Sequence, residues 1–297
     1  MSPPGNPRRG QGSQTAFSGI LQVQPTRHQA HPFYPESHPM ATTPKARPEQ
    51  GEAREHQVRT IFSEIAPRYD LLNHVLSLNI DRRWRRRAVD RLGLPSRTGR
   101  APGRGGAEDV PTPASPRILD ACAGTYDLSL ELVRRKGFQG RVVASDFARP
   151  MLVEGKKKLE GTPVSPVTGD TLRLPFPDAA FDGAMVAFGL RNLADLDRGL
   201  REFARVLRPG SRLVILEFTT PPNPLIRGGY HFYFHHILPR IGRIVSGHPW
   251  AYTYLPESVK EFPGPDGLEA RIRGAGFAGV EWEFVSLGIA AIHTAVR

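Results

Sequence analysis

Cysteine is almost absent from this chain of 297 residues, where Cys122 is the only one. A single cysteine cannot form a disulfide within the chain, and it cannot build a thiolate zinc cluster. This composition fits a reducing compartment, so we expect a cytoplasmic protein without a structural metal. Long apolar runs are also missing: none approaches the ~20 residues that a membrane-spanning helix requires.

Acidic residues are scarce in the first 50 positions, which contain only Glu36 and Glu49. The same stretch is rich in Pro, Gly, Gln and His and cannot bury enough apolar surface to offset the entropy of ordering. We therefore predict a disordered tail over 1–50 and a single domain over 51–297. A second stretch rich in Gly, Pro, Arg and Ser predicts a mobile insertion over 95–116.

Positive charge is in excess, with a formal net charge of +11. Part of it is concentrated around Trp84, at Arg82, Arg83, Arg85, Arg86 and Arg87. Such a patch suits phosphate groups, either of nucleic acid or of anionic lipid. A solvated helix face is the alternative interpretation.

Apolar runs typical of strands alternate with helical patterns along the middle of the chain. The predicted strands are 117–121, 141–145, 165–169, 181–187 and 212–218. This alternation predicts an α/β fold with a parallel sheet. Two later strands, 280–287 and 289–296, are joined by a tight turn near Gly288 and must therefore be antiparallel.

Two further segments flank this pattern. Apolar residues at helical spacing over 58–92 predict an N-terminal helical cap, in which Pro67 interrupts the first helix and a turn follows near 68–70. Residues 221–263 combine many aromatic side chains with histidines, and such long insertions in a compact domain are usually functional. We interpret this insertion as a substrate cover, with ordinary packing of a helix pair as the alternative.

The first strand ends in the turn Asp120–Asp127, in which only Gly124 is glycine. A dinucleotide fingerprint of several glycines is therefore absent. Asp146 ends the second strand, where a carboxylate can accept hydrogen bonds from ribose hydroxyls or can instead cap the next helix. Asp170 follows the third strand and suits an adenine amino group, or a simple turn.

Five strings in order resemble the ubiquinone/menaquinone biosynthesis C-methyltransferase family over residues 56–297. The first is Tyr-Asp-x-x-Asn at Tyr69, Asp70 and Asn73, with Ser77 and Trp84 following. The others are 188–192, 205–210 with Glu217, 236–242 and 252–258. The resemblance implies a Rossmann-like class I methyltransferase fold, with a mainly parallel seven-stranded sheet, a C-terminal antiparallel hairpin and the N-terminal cap.

The resemblance also implies the cofactor S-adenosylmethionine, held by the first turn and by the ends of the next two strands. The implied cofactor-binding residues are Asp120, Gly124, Thr125, Asp146, Asp170 and Thr171. Three positions depart from the family pattern: Tyr126 replaces a glycine, Ala187 a serine and Asp81 a histidine. Tyrosine at 126 predicts bulk, and a preference for negative φ, where the methionine end of the cofactor would lie.

The implied reaction is methylation of a prenylated quinol ring, with demethylmenaquinol favoured over a benzoquinol. His236, Tyr69 and Asp70 are candidates for the base that takes a hydroxyl proton, and His236 is favoured because a neutral imidazole accepts protons near pH 7. Arg191 suits an oxyanion role, or an ion pair with Asp195. Tyr69 and Asp70 could instead close the cap over the cofactor.

The implied partners are a polyprenylated quinol and the membrane surface in which its tail resides, contacted through 82–87 and 230–245. A homodimer stays open, and we expect no nucleic acid. Three alternative functions compete with this interpretation. They are an RNA methyltransferase, a non-catalytic family member, and a methyltransferase for another phenolic small molecule.

Overall fold

The computed structural model describes residues 49–70, 77, 79–94, 115–237, 240 and 251–297. The predicted tail over 1–50 and the predicted insertion over 95–116 lie almost wholly outside these described residues. The same holds for 241–250 within the predicted substrate cover.

A seven-stranded sheet forms the centre of the domain, in the order β3-β2-β1-β4-β5-β7-β6. Its strands are β1 Arg117–Ala121, β2 Arg141–Asp146, β3 Val164–Thr168, β4 Phe181–Ala187, β5 Leu207–Phe218, β6 Ala278–Val285 and β7 Ala290–Val296. The first five pair in parallel, and β7 pairs antiparallel with both β5 and β6. The predicted fold class is confirmed.

Helices cover both faces of this sheet. They are α1 Gly51–Ile65, α2 Asp81–Arg91, α3 Asp127–Val133, α4 Arg149–Gly155, α5 Leu196–Val206, α6 Pro224–Phe232, α7 Ala251–Glu261 and α8 Pro265–Gly274. Most buried side chains of β1, β2 and β4 are apolar, because helices pack on each side of a parallel sheet. The buried polar ones, Asp120, Ser145 and Asp146, lie towards the carboxyl ends of β1 and β2.

Strand β5 begins earlier than the sequence predicts. Leu207 already pairs with Phe181 of β4. The next pair is Gly183 with Arg212, so the register shifts here and the extra residues lie in β5. The turn residues Pro209 and Gly210 are therefore carried inside an irregular strand, which their composition alone would exclude.

The N-terminal helix α1 is held against the rest of the domain by apolar contacts. Val58 and Ile61 are buried and cluster with Tyr254 of α7. Phe62 and Phe147 pack at the edge of the same cluster. Because Phe147 directly follows β2, α1 lies over the carboxyl end of the sheet and acts as the predicted cap. Within the described ranges, no helix combines the length and apolar character needed to cross a bilayer.

Candidate active site

A cavity opens where β1, β2 and β4 end, between the sheet and α1. Its walls come from the turn after β1, the starts of the loops after β2, β3 and β4, and one face of α1. Ligands in open α/β sheets bind at this edge. The lining residues include Glu55, Phe62, Tyr69, Cys122, Gly124, Asp146, Phe147, Met151, Asp170, Thr171, Phe188 and Asn192.

The turn after β1 is unusual because Cys122, Gly124 and Tyr126 all have positive φ, at 52°, 54° and 73°. Gly124 faces the cavity: a side-chain Cβ built there would lie 3.4 Å from Met151 Cε and 3.7 Å from Tyr69 Cε1. The amide of Gly124 donates to Asp146 Oδ2 over 2.8 Å. This bond joins the first turn to the end of β2.

Asp146 is the most completely organised carboxylate of the cavity. Its Oδ1 accepts from the Ala148 amide over 2.8 Å, in addition to the bond from Gly124. Burial raises the pKa of this carboxyl group to about 6, although the backbone hydrogen bonds oppose the rise. Each carboxylate oxygen keeps acceptor capacity for a further donor, such as a ribose hydroxyl.

Asp170 and Thr171 also line the cavity, as the sequence predicts. Asp170 Oδ1 accepts from the Leu172 amide over 2.9 Å. The alternative interpretation, that Asp170 stabilises a turn, is therefore confirmed, and its contact with adenine stays a prediction. Thr171 Oγ1 lies 3.4 Å from Cys122 Sγ. Burial raises the pKa of the Cys122 thiol, which keeps it in the neutral form.

Two of the predicted cofactor residues, Asp120 and Thr125, do not line the cavity. Asp120 is buried behind the turn and accepts from Ser129 Oγ over 2.5 Å, and burial raises its pKa to about 7. Thr125 is buried, and its hydroxyl donates to Asp70 Oδ1. Both side chains form hydrogen bonds within the protein, and their contact with the cofactor stays a prediction.

Tyr126 does not obstruct the cavity, and the prediction of bulk at the methionine end was wrong. The residue adopts φ of 73°, which turns its fully buried ring between α3 and α4. Its hydroxyl donates to the Leu152 carbonyl over 2.6 Å. The ring fits because position 155 is glycine, where a Cβ would lie only 2.7 Å from Tyr126 Cδ2.

The pair Tyr69 and Asp70 joins the N-terminal cap to the first turn. The Tyr69 ring lines the cavity and packs edge-on against Phe62, with centroids 5.9 Å apart. Asp70 accepts from Thr125 and from Lys158 Nζ, the latter over 2.6 Å. Lys158 also bridges to Asp127 over 3.0 Å. These contacts place the cap over the cavity.

Arg191 and His236 are not brought to the cavity wall. Arg191 is buried and forms an ion pair with Glu217, with Nη1 to Oε1 at 2.7 Å, so Glu217 and not Asp195 is its partner. His236 is exposed on the π-helical segment Tyr233–Ile237, with its ring centroid 5.2 Å from that of Phe232.

Several cavity residues were not among the predicted site residues, and Glu55, Phe147 and Asn192 are three of them. Asn192 belongs to the string 188–192, but its role was not assigned; its Oδ1 accepts from the Tyr254 hydroxyl over 3.2 Å. Glu55 shares one face of α1 with Val58 and Phe62, at a spacing that a helical wheel could have shown.

The cavity is acidic in a basic protein. Among the described residues that line it, Glu55, Asp146 and Asp170 are the only ionisable groups of the carboxylate, amine or imidazole type. No group of three or more metal-ligating side chains occurs in the described part of the chain. Such a lining opposes phosphates and favours a cation. S-adenosylmethionine has a positive sulfur and two ribose hydroxyls, so these residues fit it.

Comparisons with known proteins agree with this geometry. The profile of the ubiE/COQ5 methyltransferase family matches residues 50–297. A demethylmenaquinone methyltransferase of Thermus thermophilus is 46% identical over 239 residues, covering 80% of this chain and 100% of that protein. A ubiquinone/menaquinone biosynthesis C-methyltransferase UbiE of Geobacter sulfurreducens is 40% identical over 250 residues, covering 83% and 89% respectively.

Solved structures share the fold at low sequence identity. The cyclase SpnF superposes with a TM-score of 0.56 at 16% identity, covering 81% of this chain and 95% of that one. A SAM-dependent methyltransferase from Thermotoga maritima gives 0.53 at 16% identity, covering 80% and 98%. Since one of these neighbours is named a cyclase, the fold alone does not define the reaction.

Proposed function

Because this chain belongs to the ubiE/COQ5 methyltransferase family, we propose that it transfers a methyl group from S-adenosylmethionine to a ring carbon of a prenylated quinol. Demethylmenaquinol is the favoured acceptor, since several relatives are named demethylmenaquinone methyltransferases. The observation that carries the proposal is an acidic cavity at the strand ends that adjoins the aromatic rings of Tyr69 and Phe188.

The donor is assigned to the residues that line this cavity. Asp146 would accept from the ribose hydroxyls, and Asp170 with Thr171 would contact the adenine ring. Gly124 lets the methionine end approach the first turn, because it has no side chain there. Tyr126 leaves that approach open. Ala187 supplies no hydroxyl group, so the contact that the family's serine would make with the donor is missing here.

The acceptor reaction requires alignment above all. S-adenosylmethionine would supply a methyl group on a positively charged sulfur. A ring carbon would bond to that methyl group, the carbon–sulfur bond would break with its electrons left on sulfur, and the ring carbon would then release its proton. Loss of a hydroxyl proton places negative charge on the adjacent ring carbon and makes it a better nucleophile. Holding the two partners in this geometry supplies several kcal/mol. The walls formed by Tyr69 and Phe188 suit a flat aromatic ring.

The identity of the base stays a prediction. Tyr69 and Asp70 lie nearest the first turn, and Asp70 is already engaged by Thr125 and Lys158. His236 would need to approach the cavity together with the segment Tyr233–Ile237. Arg191 is a positioning residue in this proposal, because its ion pair with Glu217 holds the loop that carries Asn192. The homodimer, which the sequence leaves open, stays open.

Quinone profiling in a deletion strain tests the proposed reaction. We expect loss of the gene to accumulate a quinone lighter by one methyl group, and the wild-type gene to restore the parent species. A matched strain carrying the Asp146→Asn variant should fail to restore it. An unchanged quinone profile in the deletion strain would contradict the proposal. If a lighter quinone does accumulate, its mass distinguishes a naphthoquinol from a benzoquinol.

A further inference from the structure

The turn between β6 and β7 exposes a leucine in a strained conformation. Leu287 is 72% exposed and has φ of 59°, in the short segment Ser286–Gly288. A leucine at positive φ is disfavoured, and exposure adds the unfavourable hydration of its side chain. Strained positions that persist in a fold often serve a function.

Other apolar side chains surround this turn. Phe284 is partly exposed on β6, and its Cδ1 would lie 3.5 Å from a Cβ built at Gly288. Pro222 lies against the same glycine, with Cδ 2.5 Å from that Cβ position. Leu225 follows in the first turn of α6 and is 84% exposed. An apolar patch of this kind on a monomer marks a contact surface.

Arginines without carboxylate partners adjoin the patch. Helix α2 is fixed to the turn by a hydrogen bond of 2.8 Å from Trp84 Nε1 to Ser286 Oγ. Arg82 and Arg83 are exposed on the first turn of this helix, and neither has an ion-pair partner among the described residues. Ile80, the N-cap residue of the same helix, is also exposed.

Not all arginines of the predicted cluster contribute to this surface. Arg85 is buried, where it pairs with Asp81 and lies 5.4 Å above the Phe188 ring. Arg87 is paired with Glu283. Arg86 lies 3.6 Å from Glu131. Among the described residues, the arginines of the cluster without an ion-pair partner are therefore Arg82 and Arg83.

Aromatic rings connect this surface with the cavity. The Trp84 ring lies 6.2 Å from that of Phe188, which lines the cavity, and 6.1 Å from that of Phe218. Phe188 and Phe218 stack with centroids 4.5 Å apart. These packed rings join the turn that carries Ser286 to the wall of the cavity.

We propose that this docking face, formed by Ile80, Arg82, Arg83, Leu225, Phe284 and Leu287, binds an anionic lipid bilayer and inserts Leu287 below the headgroups. The inference rests on the proposed function, because a prenylated quinol resides in the bilayer. Phosphate headgroups complement Arg82 and Arg83, and the acyl boundary accepts the apolar side chains. A second copy would set the same arginines against each other, and nucleic acid would leave the leucines in water.

Sedimentation with vesicles tests the docking face, using full-length protein and vesicles of phosphatidylcholine with or without phosphatidylglycerol. We expect binding only to the anionic vesicles. Leu287→Ser should weaken it about tenfold, as expected for one buried leucine. The double variant Arg82→Ala/Arg83→Ala should weaken it by more and abolish most of its salt dependence.

Matched controls lie at the opposite edge of the sheet. Val153→Ser removes an exposed apolar side chain of α4, and Lys156→Ala/Lys157→Ala removes two exposed charges from the adjoining turn. These variants should bind anionic vesicles like the wild type. Equal loss in the control and docking-face variants, or no binding by the wild type, would overturn the inference.

A detergent assay with a short-tailed quinol separates this inference from the proposed function. Leu287→Ser should methylate that acceptor at the wild-type rate, while losing activity on long-tailed quinol in vesicles. A rate loss in detergent equal to that in vesicles would overturn the docking role of Leu287. Vesicle binding without methylation of either acceptor would overturn the proposed function and leave the docking face intact.

Discussion

At the scale of single residues, Tyr126 shows how a bulky side chain replaces glycine without closing a ligand site. Its positive φ directs the ring away from the cavity and against Gly155. We expect Tyr126→Gly to lower the free energy of unfolding by about 3 kcal/mol, because a filled core position becomes a cavity. The affinity for S-adenosylmethionine, measured by calorimetry, should stay within about twofold.

Tyr126→Phe serves as the control for the ring itself. It keeps the packing and loses only the hydrogen bond to the Leu152 carbonyl, so its loss of stability should be about 1 kcal/mol in urea titrations. Donor affinity that rises more than about tenfold in Tyr126→Gly would show that the ring does obstruct the cavity.

Asp146 predicts how donor binding depends on pH. Burial raises its pKa to about 6, so the carboxyl group gains a proton as the pH falls through that value. The protonated form loses acceptor capacity toward the ribose hydroxyls, and the affinity for S-adenosylmethionine should therefore fall below about pH 6. Calorimetry between pH 5 and about 8 measures this acid limb.

The Asp146→Asn variant should bind S-adenosylmethionine weakly, and its affinity should no longer fall below about pH 6. Asp178 is exposed, so the control variant Asp178→Asn should keep the pH dependence of the wild type. A variant Asp146→Asn with the wild-type pH profile would assign the titration to another group.

At the scale of elements, Lys158 is the contact that holds the N-terminal cap to the first turn. Its ammonium group bridges Asp70 and Asp127. In Lys158→Met these two carboxylates lose their shared cation, so α1 should open more often. Partly exposed ion pairs contribute on the order of 1 kcal/mol, which predicts roughly fivefold faster hydrogen exchange in α1.

Lys157→Met is the matched control, because Lys157 is exposed in the same turn. Mass spectrometry of deuterated peptides should find its α1 exchange unchanged. Equal rates in both lysine variants would mean that the bridge does not hold the cap.

The elements themselves could be predicted because buried runs and helical spacing repeat along the chain. Strands β1 and β4 have the predicted bounds, since apolar runs there end at turn residues. The start of β5 could not be predicted, because pairing with Phe181 overrides the turn composition of Pro209 and Gly210. The direction of the Tyr126 ring depends on a backbone torsion that composition does not encode.

Some residues of the candidate site could also be predicted from the sequence, and others could not. Asp146 and Asp170 were predictable because strand ends converge at one edge. The Arg191 partner Glu217 was not, since tertiary packing brings together positions far apart in the sequence. The face of α1 that carries Glu55 follows from helical spacing, but its approach to the strand ends depends on how α1 packs.

At the scale of the whole molecule, a protein of net charge +11 surrounds a cavity lined with three carboxylates. This distribution favours the positively charged donor over its neutral-sulfur product. Glu55→Gln should therefore weaken S-adenosylmethionine roughly fivefold and S-adenosylhomocysteine less, since one partly exposed charge contributes on the order of 1 kcal/mol. Competition calorimetry measures the ratio of the two affinities.

Glu52→Gln, which changes an exposed carboxylate in the first turn of the same helix that does not line the cavity, should leave both affinities unchanged. Equal weakening of both ligands by Glu55→Gln would show that this carboxylate does not distinguish their charge.

The single thiol of the chain lies in the wall of the donor cavity, 3.4 Å from Thr171. Cys122 is therefore a natural reporter that needs no engineered label. Because burial keeps the thiol protonated, maleimide should alkylate it slowly, and bound donor should slow the reaction further. Intact-mass spectrometry would then follow occupancy of the cavity directly, even in mixtures where methyl transfer is too slow to detect.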